Sequence, residues 1–323
     1  MDRTREGVFV TILTRLQHWT QQGVIPAEQS VHLSALARGE PFSLFLEINI
    51  LLYAGVLAFV GGLGWTVTTW SQKIGDVLIL AAMFALVAAC FWYCFSRAPV
   101  WSRSETPSPN LVFDYVLYLG SLTWSVAVAY TEQRFHLLSG KWDLYLLATA
   151  GLFFFLAYRF DNRFVLSLAL SSLAGWFGLT ISHWSMHQNA VYRWDGIAFS
   201  LMTGAAGVLL ERSAMKAHFF RTYLNISANV LFWALLSGAF EREDNGVWLL
   251  ALLVACAASA RWGVKRRQFA FVAYAAVYGY IGVTSVFLRG SFDSATIFGY
   301  FLITGIAMLV ALVAIARRFG RDA

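Results

Sequence analysis

Charged residues are scarce in this 323-residue chain, because Asp, Glu, Lys and Arg together make up only 13% of it. An average soluble domain carries roughly 25% of these residues. Hydrophobic residues reach 59%, and the mean hydropathy is +0.61. Such a composition excludes an ordinary soluble protein and indicates a chain that lies largely in lipid.

The chain contains long runs of apolar residues. Each run approaches the roughly 20 residues that cross a bilayer as a helix. Because backbone groups find no water in hydrocarbon, and the runs lack the alternation of barrel strands, every run is predicted to be helical. The expected fold is all-α, with a transmembrane domain over residues 41–323. The alternative that this domain consists of two five-helix halves, 44–182 and 195–316, stays open. The predicted spans are 44–70, 77–96, 111–131, 142–159, 164–182, 195–210, 222–240, 247–260, 269–288 and 295–316.

Proline and mid-membrane charge are both missing from these spans. All five prolines lie outside them, so no helix is broken in the way that many carriers build ion sites. A charge at a helix centre costs about 2.5–3.5 kcal/mol on the insertion scale, and every ionisable residue lies near a predicted helix end. The sequence therefore argues against a carrier that relays ions through midplane acids.

Basic residues are concentrated on one predicted side of the membrane. Three quarters of the 24 Lys and Arg residues fall in the N-terminal segment, the even-numbered connections and the C-terminal tail. This bias places both termini in the cytoplasm. The net charge of +6 is read as an orientation signal, with membrane lipids as partners and no nucleic acid.

Signatures of soluble enzymes are absent, including a phosphate-binding P-loop, a dinucleotide glycine fingerprint, HExxH and a nucleophile elbow. We therefore expect no cofactor and assign no catalytic residue. The three cysteines, Cys90, Cys94 and Cys256, fall within predicted spans and are read as small packing residues.

A short amphipathic hairpin is predicted over 1–40, ahead of the first span. Apolar residues from Phe9 to Trp19 recur at three- and four-residue steps, Gly23 suits a helix end, and Pro26 suits the start of a second helix. Two helices of this size are too small to be stable alone. They are expected to pack on the bundle, on the lipid interface, or on a cytoplasmic protein partner.

The stretches WTQQGVIPAEQSVHLSAL and INILLYAGVLAFVGGLGWTVTTWSQKIGD resemble the DUF2157 group of predicted bacterial membrane proteins. The resemblance is sharpest over about residues 12 to 80. It implies a multi-pass protein of the bacterial inner (cytoplasmic) membrane, with a cytoplasmic helical segment at its N-terminus. Since no activity is established for that group, it implies no active-site residues.

A few polar residues are candidates for a site. Asn49, Asn225 and Asn229 are predicted either to line a polar cavity or to hydrogen-bond between helices. Glu47 and Asp114 are the deepest acids and are placed near the cytoplasmic interface. His183 and His187 share a helix face if the fifth helix extends that far, and His136 is threaded to the same side, where an aromatic belt is the alternative to a metal site.

Three functions remain open from the sequence. The first is transport or flipping of a small or lipidic solute, which the even span count with both ends inside favours, whereas no internal repeat relates 44–182 to 195–316. The second is a non-catalytic accessory or sensor protein whose hairpin docks a partner. The third is a membrane enzyme at the outer face, which rests only on His183, His187 and nearby acids.

Overall fold

The computed structural model describes residues 15, 18–20, 22, 30, 52–62, 65, 75–137, 141–184, 189–241, 245–290 and 293–321. The chain divides into two compact units, residues 1–61 and 62–323. In the first unit, the described positions 15, 18–20 and 30 are helical. Helix α1 covers Leu52–Gly62 at the boundary of the units.

Within the described residues, the second unit is helical except for the connections between its helices. A one-turn 3-10 helix, Ala217–Phe219, precedes α7. The helices are α2 Asp76–Arg97, α3 Leu111–Phe135, α4 Trp142–Phe160, α5 Arg163–Trp184, α6 Asn189–Arg212, α7 Phe220–Ala239, α8 Asn245–Lys265, α9 Phe269–Phe287 and α10 Ser294–Arg321.

Each of these helices falls on one of the ten predicted spans, which confirms the all-α multi-pass fold. Seven of the described helices are long and apolar enough to cross a membrane. The exceptions after α1 are α6 and α7, whose apolar stretches have a lower hydropathy than those of the other seven. Helices α6 and α8 are also longer than predicted, because polar residues that end an apolar run do not end a helix.

The helices of the second unit pack mainly as sequential antiparallel pairs, α2 with α3, α4 with α5, α6 with α7, and α8 with α9. Glycine allows the backbones to approach in several pairs. A Cβ atom on Gly207 of α6 would lie 2.8 Å from the Cβ of Tyr223 in α7, and one on Gly204 would lie 3.0 Å from the Ser227 hydroxyl. Close packing of α6 and α7 at these two positions therefore requires residues without a side chain.

The two-residue connection between α4 and α5 shows why the chain turns there. Asp161 adopts the left-handed conformation with φ of 58° and donates its N–H to the Ala157 carbonyl, and Asn162 donates to the same carbonyl. The Asn162 side-chain oxygen then accepts from the N–H groups of Phe164 and Val165. Asp and Asn tolerate the left-handed region and cap helix starts, so two residues complete both helix ends.

These connections give the second unit two distinguishable ends. We call the end that contains 98–110, 161–162, 213–219 and 266–268 the basic end. The other end contains the described residues 136–137, 141, 240–241, 288–290 and 293 and is called the opposite end. Helices α5, α7 and α9 start at the basic end, whereas α4, α6 and α8 finish there.

Candidate functional site

A recess with a volume of about 380 Å³ opens at the basic end, between the starts of α5 and α7 and the ends of α6 and α8. Three arginines and one glutamate give it a positive balance of charge. The side chains around it are Arg163, Glu211, Ala217, His218, Phe220, Arg221, Trp262, Arg266 and Gln268. We call this cavity the basic recess.

Beside the basic recess lies a buried ion pair between Lys216 and Asp161. The Lys216 ammonium is 2.9 Å from the Asp161 carboxylate, and the two side chains are 1% and 2% exposed. His218, which lines the recess, places its Nε2 atom 2.5 Å from the other carboxylate oxygen. That contact lacks hydrogen-bond geometry, so the imidazole lies directly against the carboxylate without a hydrogen bond. Two charges this well buried are stable only when each finds a close partner.

The same ion pair holds the 98–110 connection against the basic end. The Thr106 N–H donates to the Asp161 carboxylate, and the Lys216 ammonium donates to the Ser104 carbonyl. The Lys216 N–H donates to the Arg103 carbonyl, and the Arg159 guanidinium donates to the Pro99 carbonyl. Backbone groups of a long connection are thereby satisfied by Asp161 and Lys216 from two other connections and by Arg159 at the end of α4.

Asp114, one of the predicted binding residues, lies in this region but outside the lining of the basic recess. Its carboxylate accepts hydrogen bonds from the Ser108 hydroxyl at 2.8 Å and from the Asn162 amide at 3.0 Å. The Asn162 amide also contacts the Tyr118 hydroxyl. Asp114 therefore links the 98–110 connection to the start of α5.

Asn225 and Asn229 belong to a series of polar contacts along α6 and α7. The Asn229 amide donates to the Asn225 carbonyl, and its side-chain oxygen accepts from the Tyr278 hydroxyl at 3.0 Å. The Asn225 side-chain oxygen is buried without a hydrogen-bond partner. We call the series the polar seam, and its side chains are Tyr158 with Tyr223, Ser200 with Ser227, Asn225, and Asn229 with Tyr278.

At the opposite end, a second ion pair lies at the start of α6. The Arg193 guanidinium is 3% exposed, lies 2.6 Å from the Glu241 carboxylate, and stacks 4.4 Å above the Trp248 ring. Arg289, at the end of α9, donates to the carbonyls of Ala239 and Glu241. The Arg193 Nε is buried without a hydrogen-bond partner. Two arginines thus connect α6, α7, α8 and α9 at this end.

The remaining predicted site residues are only partly covered by the structure. Glu47, Asn49 and His187 lie outside the described residues, and so does the side chain of His183, whose backbone is in α5. His136 follows α3 in the left-handed conformation and donates its N–H to the Glu132 carbonyl. The described residues contain no group of three metal-ligating side chains. The binding and metal predictions stay predictions.

Sequence reasoning missed Asp161, Lys216, His218 and Arg193. Each is a single charged or titratable residue in a connection or near a helix end, where solvated charge is common. The useful signal was the Asp-Asn pair in the shortest connection, which favours a tight turn. Nothing in the local sequence identifies the partners, because Lys216 follows Asp161 by 55 positions.

Residues 17–166 of the chain match the family model described as "Predicted membrane protein (DUF2157)". The match confirms the resemblance and covers α1 through α4 and the start of α5. No curated protein and no solved structure matches the chain.

Proposed function

We propose that this multi-pass membrane protein carries or flips a small or lipidic solute, which enters through the basic recess. The observation that carries the proposal is the difference between the two ends of the α6 and α7 pair. The basic end is open over about 380 Å³, Arg193 and Arg289 join described helix ends at the opposite end, which we take as the closed end, and the polar seam lies between them.

The polar seam supports a path for a solute with polar groups. Buried hydroxyls and amides in a membrane helix pair cost stability unless they find partners, and here they partner each other across α4, α6, α7 and α9. The Asn225 oxygen, buried without a hydrogen-bond partner, provides an acceptor on this path. Asn225 and Asn229 are proposed as solute contacts within the seam.

The proposal includes an orientation, in which the basic end and both termini face the cytoplasm of a bacterial cell. The bias of Lys and Arg residues toward one side supports it. The structure described here then corresponds to a state open toward the cytoplasm. Transport requires a second state, in which Arg193 and Glu241 separate and the opposite end admits water.

Labelling of single cysteines tests this exchange, in a background where Cys90, Cys94 and Cys256 are replaced by Ala. Ala217, exposed in the basic recess, reports on the open end when it is changed to Cys. Ala239, fully buried beside Arg289, reports on the closed end. We expect fast maleimide labelling of Ala217→Cys and slow labelling of Ala239→Cys that accelerates at least tenfold when Arg193→Ala is added.

The matched control is Ala169→Cys, which is also fully buried but lies within α5. It must stay unlabelled in the Arg193→Ala background, since labelling there would report unfolding. If Ala239→Cys stays protected with Arg193→Ala and also with Arg289→Ala, the opposite end does not open and the transport proposal is wrong.

A further inference from the structure

The guanidinium groups of the basic recess are available to a ligand. Arg221 and Arg266 have no ion-pair partner among the described residues. Arg163 contacts Glu105 at 2.6 Å, but the two side chains are 49% and 60% exposed. Exposed pairs of this kind hold a charge weakly, so an incoming anion can compete for Arg163. The single acid in the lining, Glu211, does not balance three arginines.

Two helix starts add to this positive field. Helix α7 begins at Phe220 and α9 at Phe269, and neither has a side-chain cap. The lining residues Arg221 and Gln268 lie at these two starts. The positive end of the helix dipole at each start is favourable for an anion, although the Phe220 N–H itself donates to the Ala217 carbonyl. Arginine adds bidentate donors that match a phosphate group.

The basic recess is larger than a bare phosphate needs, and its lining is not purely basic. Its volume is within the range of pockets that bind small molecules, roughly 300–1,000 Å³. The Glu211 carboxylate repels a second anionic group but accepts hydrogen bonds from hydroxyls. The Gln268 side chain can donate and accept. The Trp262 ring packs edge-on against Phe271 at 4.7 Å, which holds one wall of the recess in place.

We infer that the basic recess binds a phosphorylated polyol, with the phosphate on Arg221 and Arg266 and a hydroxyl on Glu211. This inference rests on the proposed function, because it names the class of solute that enters there. The same chemistry occurs in a soluble polyol phosphate and in the glycerophosphate headgroup of an anionic lipid, so the experiment has one arm for each source.

The soluble arm titrates glycerol 3-phosphate and inorganic phosphate into the purified full chain in phosphatidylcholine nanodiscs, with heat as the readout. The lipid arm adds phosphatidylglycerol to the nanodiscs and measures lipid retained on the protein by native mass spectrometry. We expect saturable binding in one arm, weakened at least tenfold in the double variant Arg221→Gln with Arg266→Gln.

The matched control is Arg212→Gln with Arg261→Gln, which removes the same charge from exposed residues near the same end that do not line the recess. It should bind within twofold of the unmodified chain. If the first double variant fails to fold, Arg221→Gln alone replaces it, with an expected loss of at least threefold.

Two results would overturn the inference. One is an absence of saturable binding in both arms, and the other is an equal loss in the recess variant and its control, which would report net charge alone. Neither result affects the separate labelling test with Ala239→Cys. If that cysteine still becomes accessible, transport stands and only the phosphate assignment falls.

Discussion

At the scale of single residues, Lys216 and Asp161 are the most constrained charges in the described chain. Each is almost fully buried, and each also bonds to the backbone of the 98–110 connection. Lys216 additionally adopts a left-handed conformation, with φ of 51°, which is uncommon for a residue with a long side chain. The surrounding hydrogen bonds must offset that conformational cost.

Removing one member of this pair should destabilise the protein more than removing both. Lys216→Met leaves the Asp161 carboxylate buried without its partner, which costs about 3–5 kcal/mol, whereas Lys216→Met with Asp161→Leu leaves no unpaired charge. We expect a large fall in the midpoint of thermal unfolding in detergent for the single variant and partial recovery in the double. Arg163→Gln, which breaks the exposed pair with Glu105, is the control and should change the midpoint little.

At the scale of helices, the α6 and α7 pair combines close packing with polar contacts. Gly207 faces the Cβ of Tyr223 in this pair, and the Tyr223 hydroxyl lies 3.0 Å from that of Tyr158. These contacts keep α6 and α7 side by side although both are less apolar than their neighbours. The pair therefore depends on fit between two surfaces as well as on burial in lipid.

A larger side chain at Gly207 should separate this pair. Gly207→Leu introduces atoms where only 2.8 Å separates the new Cβ from Tyr223, and overpacking of this kind costs about 1–3 kcal/mol. Gly151→Leu in α4 is the control, because a Cβ there meets nothing within 4 Å. Unfolding midpoints of the two variants should differ clearly, and equal midpoints would show that the α6 and α7 contact is not tight.

At the scale of the whole molecule, the distribution of Lys and Arg should decide the orientation in the membrane. A membrane-impermeant maleimide should label Ala217→Cys in inverted vesicles and Phe240→Cys in intact spheroplasts, because the two residues are at opposite ends and are both exposed. A fluorescent protein fused to the C-terminus should be fluorescent in the cytoplasm. Labelling of Ala217→Cys from outside the cell would reverse the proposed orientation.

The type and order of the described helices could be predicted from the sequence, because the bilayer sets a length and a polarity that each segment must satisfy by itself. The connection at 161–162 was located for a similar local reason. The family resemblance was also a local property, since the stretches that carry it overlap the matched residues 17–166. Helix ends were less exact, as α6 and α8 show, because a helix continues where an apolar run stops.

By itself, the sequence determined that the chain forms apolar helices along its length, that charge is kept from their centres, and that basic residues favour one side. Each of these follows from the cost of placing a short segment in lipid. Only the tertiary structure decided which connections meet: the contact of Lys216 with Ser104 joins positions 112 residues apart, and that of Arg289 with Glu241 joins positions 48 apart. Such pairs depend on how each helix is rotated and where its end lies, and the basic recess exists only because several helix ends come together.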